Sequence, residues 1–178
     1  MAFVLHRLTP IDGEAILTLE ECKRHLRVRH QEDDAAIEAY RLSAIAFVER
    51  QASTALLPAD FRVEAVRFED LRTLPIHPVQ SVISAVHHDS AGTEVAYAPR
   101  LQAGRLRPVQ GGTWPYENGY ASVTFEAGHL DPPDDLIAAV KLMLGHLYSN
   151  RSAVMSGGAV EVPLAIDSLI SSHRLLTI

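Results

Sequence analysis

Nine histidines, a single cysteine and two pairs of adjacent aspartates hold most of the chemical capacity of this 178-residue chain. His87 and His88 are neighbours, so on a strand they point to opposite faces and cannot share one ion. His25 and His30 straddle a predicted helix end, and no cysteine or carboxylate at ligand spacing completes a zinc set around them. Asp33-Asp34 and Asp134-Asp135 each precede an apolar periodic run. Capping and the helix dipole account for them more simply than the paired acids of a glycosidase. The patterns G-x-S-x-G, H-E-x-x-H and G-x-x-x-x-G-K-[ST] are missing from the sequence. "SGG" at 156–158 is followed by "AVEVP" rather than a helix start, which fits a flexible link better than a phosphate cradle. Cys22 falls on the apolar stripe of a predicted helix and reads as a small core residue. A lone cysteine excludes an intramolecular disulfide and fits a reducing compartment. These residues carry no recognised catalytic motif, and the expectation is a chain with no metal and no cofactor.

One stretch keeps a binding reading open. Residues 111–120 gather Trp114, Tyr116 and Tyr120 among glycines. They could stack on a small molecule or glycan. Equally, they could be turn-and-strand architecture, with Trp114 plugging the junction of a β region and helices, and Tyr116 and Tyr120 meeting a neighbouring subunit.

The elements that must hold these residues are legible in order. Residues 1–17 read as an extended lead-in broken by Pro10 and Asp12-Gly13. "TLEE" supplies a capping box from Thr18 and Glu21, opening a short helix through Leu19, Cys22 and Leu26. After "RHQEDD" a longer helix carries Ile37, Tyr40, Ala44, Phe47 and Val48 on one stripe, with Ala36, Ala39 and Ala46 beside it. At ~1.5 Å per residue, the run from Asp34 to Gln51 spans about 27 Å. The pair makes an αα-hairpin over 18–52. Residues 61–126 read as a small antiparallel β region. In it "FRVEAVRF" shifts phase at Val66 as a bulge or bend would, "SVISAVHH" pairs with "EVAYA" across the "DSAGT" turn, "GRLRPV" is a weaker strand, and "ASVTF" is half-buried. "DPPDD" opens a helix over 132–150 that is apolar on nearly every side, as a fully buried helix would be. Residues 151–178 form a Ser/Gly-rich link and an apolar segment, "LAIDSLISSHRLL", which either folds onto its own domain or docks elsewhere. The fold class is α+β: one domain in which the N-terminal hairpin and C-terminal helix form a small bundle, with the β region inserted.

Bulk properties set the outer limits. A chain of this length buries roughly 70% of its unfolded surface and needs no staple. Sixteen basic against 22 acidic residues give a net charge of −6, which argues weakly against general wrapping of nucleic acid and leaves room for a wall past which DNA merely slides. "MAFVLHRL" meets His6 and Arg7 too soon for a secretory leader. No apolar run approaches the ~20 residues of a membrane span. The expectation is a soluble protein used without export.

The joint order of "LTLEECKRHLRV", "EDDAAIEAY", "AFVERQASTALLP", "LPIHPVQSVISAV", the Gly92 turn, "GRLRP", Trp114-Pro115, "SVTFEAG", "PPDDLIAAVKLMLGHLYSNR" and Val162-Pro163 resembles the head–tail connector (adaptor) family of long-tailed phages, prophages and gene transfer agents. The likeness spans roughly Thr18 to Arg174. Two departures affect loop geometry: His129 stands where the family often has Tyr, and "ASTALLP" lacks a Gly. The resemblance implies a virion structural protein that assembles as a ring, typically a dodecamer, beneath the portal. The ring would extend the DNA channel, let DNA pass without sequence-specific binding, and seat the next tail-proximal connector or stopper. It implies partners in the portal protein and in adjacent copies, no membrane, and a life in the host cytoplasm and then in the particle. Portal docking falls on the C-terminal segment: Leu164, Ile166, Leu169, Ile170, His173, Arg174, Leu175 and Leu176. Subunit contacts fall on Tyr40, Phe47, Tyr116 and Tyr120.

Overall fold

The computed structural model describes residues 3–89, 91–109, 112–115, 120–150 and 164–174. It contains helices and an antiparallel sheet. The chain reads in sequence as one domain with an insertion; its contacts group into two compact units, each built from two separated stretches.

The β unit takes Met1–Pro10 and Leu57–Leu130. Its sheet runs in the order β1 (Phe3–Arg7), β2 (Ala59–Ala65), β7 (Ala121–Ala127), β3 (Val79–His88), β4 (Glu94–Ala96), with every neighbouring pair antiparallel. Alternation does the sorting, because successive side chains in a strand face opposite ways. Phe61, Val63 and Ala65 on β2 stand opposite Phe125, Val123 and Ala121 on β7, and all six are buried. Phe61 and Phe125 stack with centroids 5.7 Å apart. Between β3 and β4 lies the turn that sequence places there, with Asp89 Oδ1 accepting from the amides of Ala91 and Thr93.

Three features of this unit differ from the sequence reading. The lead-in is not merely extended, since Phe3–Arg7 pairs with Ala65–Phe61 as the outermost strand. Of the bulge or bend expected at Val66, the structure has a bend at the end of β2 rather than a bulge within it: a 3₁₀ turn follows at Phe68–Leu71, and Val66 itself is exposed. The register irregularities sit in β3 instead, between Val79 and Ser81 and between Val82 and Ser84. The "GRLRPV" segment pairs as β6 (Arg105–Arg107) with β5 (Arg100–Gln102) in a separate two-stranded ribbon.

The helical unit takes Ile11–Leu56 and Asp131–Ile178. It holds α1 (Gly13–Ile16), α2 (Leu19–Leu26), α3 (Asp34–Ala52), α4 (Asp134–Ser149) and α5 (Leu164–Ser171). The Thr18/Glu21 capping box is present at the start of α2. Asp33 occupies the N-cap of α3 but makes no side-chain cap bond there. Instead it accepts from the Tyr148 hydroxyl at 2.5 Å, while Asp34 pairs with Lys23 at 2.6 Å. The core joins Leu17, Cys22, Ile37, Ile45, Val48, Leu136, Val140, Leu144, Ile166 and Ile170.

The buried stripe of α3 is Ile37, Arg41, Ala44, Ile45, Val48, Glu49 and Ala52, so Tyr40 and Phe47 lie at its margins. Two charges within it are matched. Arg41 reaches Glu14 at 2.5 Å and the Leu17 carbonyl at 3.0 Å, and Glu49 accepts from the Leu56 amide at 2.8 Å. A buried charge persists only with such partners. The expectation of an all-round buried α4 is corrected: Leu142 is exposed on one side of it.

Candidate functional site

No set of three or more His, Cys, Asp or Glu residues able to hold a metal occurs among the described residues. His87 and His88 do face opposite ways. His87 is buried near Phe68, while His88 meets Tyr120 edge-on. Cys22 is fully buried, and burial pushes its thiol pKa up, away from the reactive thiolate. No helix among the described residues is long and apolar enough to cross a membrane.

The aromatic stretch resolves into architecture where it is described. Trp114 stacks on Phe68 at 5.9 Å with an interplanar angle of 17°, and Tyr97 tilts against both rings. Phe68, at the start of the 3₁₀ turn, is buried and forms the centre of the group. The Tyr97 hydroxyl accepts from the Val109 amide at 3.2 Å, fastening the following segment. Trp114 thus spends its face on side chains of the β unit. Tyr116 lies outside the described residues. Tyr120 is exposed over 40% of its surface, yet its phenol is pushed up to about 12 by partial burial of the hydroxyl, then by a hydrogen bond to Glu64 and that carboxylate's charge. The residue is thus partly accessible while its ring meets His88 and its hydroxyl is engaged by Glu64.

Tyr40 and Phe47 are half-buried against the helical core. The Arg50 guanidinium sits 5.9 Å above the Phe47 ring. Phe47 also borders a shallow hollow of about 190 Å³ with Gln51, Leu164, Ile166, Ile170 and Arg174. Leu42 on α3, which the sequence reading does not name, and Leu142 on α4, which it expects to be buried, are both exposed. Apolar periodicity alone cannot separate a core position from an outward one at the edge of a wide stripe.

The C-terminal segment divides by burial. Ile166 and Ile170 are in the core of their own unit, Leu169 is half-buried, and Leu164 is 88% exposed. Past the helix, His173 Nε2 lies 2.7 Å from Asp135 Oδ2, and Arg174 pairs with Asp167 at 2.5 Å and donates to the Gln51 carbonyl at 3.4 Å. Burial raises the Asp135 pKa, but the hydrogen bond from His173 and its charge outweigh that, leaving the carboxyl below its ordinary value. The helix is therefore held by two apolar anchors and a polar clasp. Leu175 and Leu176 lie outside the described residues.

No family model and no curated relative matches the chain. Solved structures do. A chain in the virion of a native gene transfer agent particle is 30% identical, with a TM-score of 0.77 over 98% of this chain and 97% of that one. A chain from the neck of a native particle of that kind, computed with C12 symmetry, is 30% identical with a TM-score of 0.76 at the same coverage. A chain from the neck of an empty particle, computed with C6 symmetry, is 28% identical with a TM-score of 0.77, again at that coverage.

Proposed function

Because the chain belongs to the family of neck proteins of phage-like particles, we propose that it is a structural head–tail connector that assembles as a ring beneath the portal. One observation carries the reading: the likeness runs through nearly the whole of both chains, so helical unit, β unit and C-terminal helix are shared together. Symmetric necks among the similar structures support copies of the chain contacting one another around an axis. Such head-to-tail contacts need one flank of a subunit to complement the opposite flank of the next. Tyr40, Phe47, Tyr116 and Tyr120 are assigned to these contacts.

In this reading the ring, a dodecamer, extends the DNA channel and receives the next tail-proximal connector or stopper. DNA passes without sequence-specific recognition. The portal is engaged by the C-terminal segment through Leu164, Leu169, His173, Arg174, Leu175 and Leu176, while Ile166 and Ile170, expected there too, are buried in their own unit instead. Ile166 and Ile170 brace the segment while the exposed Leu164 face is free to meet the portal. The protein acts in the host cytoplasm during assembly and then at the head–tail junction of the particle, without catalytic activity. Electron microscopy of portal rings mixed with the purified chain tests this. An added ring layer is expected, and portal rings unchanged at saturating chain would overturn it.

A further inference from the structure

We infer that the β5–β6 ribbon is a phosphate-contacting finger that touches the backbone of double-stranded DNA through Arg100, Arg105 and Arg107. The pairing puts Arg100 directly across from Arg107, and Gln102 across from Arg105. All four are exposed. Like charges directly opposite on a ribbon are destabilising, so this arrangement works against the hairpin's own stability. Among the described residues none of the three arginines forms an ion pair; the nearby carboxylates Glu69 and Asp70 are taken by Arg72 and Arg67. Arg100 uses only Nε, toward the Pro108 carbonyl at 3.3 Å. In a chain of net charge −6, no acidic residue occurs between Glu94 and Glu117. The ribbon is a cationic island.

It is also firmly held. The turn is Ala103-Gly104, with φ of 50° and 72°, the left-handed pair that a two-residue hairpin requires. On the reverse face Leu101 meets Leu106, which is 1% exposed. The Leu106 amide donates to the Arg72 carbonyl at 2.9 Å, and Thr73 bridges to Arg105. Three guanidinium forks are thus displayed on a rigid support, a geometry suited to phosphate oxygens. The outward face of Arg100, Gln102, Arg105 and Arg107 has no apolar anchor of the kind that centres a protein interface. A polyanion read by charge fits it better than an acidic protein. The other cationic stretch, Arg24, Arg27 and Arg29, borders a groove of about 730 Å³ that also includes Glu20.

This rests on the connector reading, which brings DNA past the protein, but the test separates the two. Anisotropy of a labelled duplex of about 20 base pairs is titrated with the full chain at about 50 and 200 mM salt. Three phosphate contacts predict a salt slope near −2.7, so affinity should fall roughly 40-fold between those salts, alike for unrelated sequences. R100Q/R105Q/R107Q should abolish that salt-dependent binding while keeping the wild-type melting temperature, and R24Q/R27Q/R29Q should retain it. No measurable binding by wild type at the lower salt, equal loss in both triple variants, or retention of polyglutamate but not DNA each overturns the proposal. If R100Q/R105Q/R107Q still adds a ring layer to portal, the connector reading stands whatever the DNA result. DNA binding without any ring layer would leave the finger and sink the connector.

Discussion

Gly128 ends the "SVTFEAG" run, and its replacement by alanine should be among the most damaging single-methyl changes available in the chain. Its φ is +132°, a region glycine enters freely and L-residues rarely adopt. A Cβ built there would fall on the Leu57 carbonyl oxygen, 2.7 Å from its carbon and 3.0 Å from Pro58 N. Both obstacles are backbone, so neither can swing aside. Relief requires moving Gly128, whose amide donates to the Pro78 carbonyl at 2.9 Å and whose carbonyl accepts from Gln80 Nε2 at 2.8 Å. Strain of ~1–2 kcal/mol for the disfavoured backbone adds to ~1 kcal/mol for each weakened hydrogen bond. The total is about 3–4 kcal/mol. At roughly 2–4 °C per kcal/mol for a chain of this size, the melting temperature should fall by about 6–16 °C. Gly92→Ala is the control. That glycine also has positive φ, at +78°, but nothing lies within 4 Å of the added carbon, so only the backbone part should be lost. Calorimetry on both variants measures the difference. Equal, small losses would refute the argument that the Leu57 carbonyl forbids a side chain at Gly128.

Three other outcomes follow from the same structure. Phe68→Ala removes the buried centre of the Trp114, Tyr97 and His87 group and should cost ~3–5 kcal/mol, with Trp114 fluorescence shifting red; an unchanged melting curve would contradict the cluster. The lowered Asp135 pKa means the folded state binds its proton less readily than the unfolded one. The clasp on His173 is therefore complete above the ordinary carboxylate pKa of ~4 and lost as pH falls below it. Hydrogen exchange of α5 amides should show protection dropping there in wild type but not in Asp135→Asn. Finally, the difference in absorbance at the phenolate band between wild type and Tyr120→Phe should titrate at about 12, rather than near the ordinary ~10.

Local signals were readable in the sequence and long-range ones were not. The Thr18/Glu21 box needs only residues three apart, and it forms as the spacing predicts. Strands Ala59–Ala65 and Ala121–Ala127 show their alternation, and they bury the side that it marks. By contrast, nothing near Phe3–Arg7 reveals that its partner is β2, because that pairing depends on a register set far along the chain. Arg41 and Glu49 mislead a periodicity count, since a charge on a buried stripe is tolerable only with partners such as Glu14, the Leu17 carbonyl and the Leu56 amide. Asp33 looked like a helix cap, and its position is right, but the hydroxyl of distant Tyr148 takes the carboxylate. For the surfaces, sequence assigns candidate contacts to Tyr120 and the C-terminal helix but cannot tell that Ile166 and Ile170 turn inward. It also left the ribbon's arginines unremarked, because their shared face exists only once Arg100 is set across from Arg107.

Each unit is assembled from two stretches of chain, and the stretches interleave. During synthesis this imposes an order of completion. When residue 130 has been made, the β unit has all of its parts, Met1–Pro10 and Leu57–Leu130. Drawing β1 back to β2 across the intervening helices costs little extra, since closure entropy rises only by ~0.6 kcal/mol per doubling of the loop. The helical unit is then still unfinished. Ile37, Ile45 and Val48 have no cover until Leu136, Val140, Leu144 and Ile166 arrive. The stretch from Asp131 onward thus sets the moment at which the helices made before it can bury their apolar face, and the sheet can be finished before them.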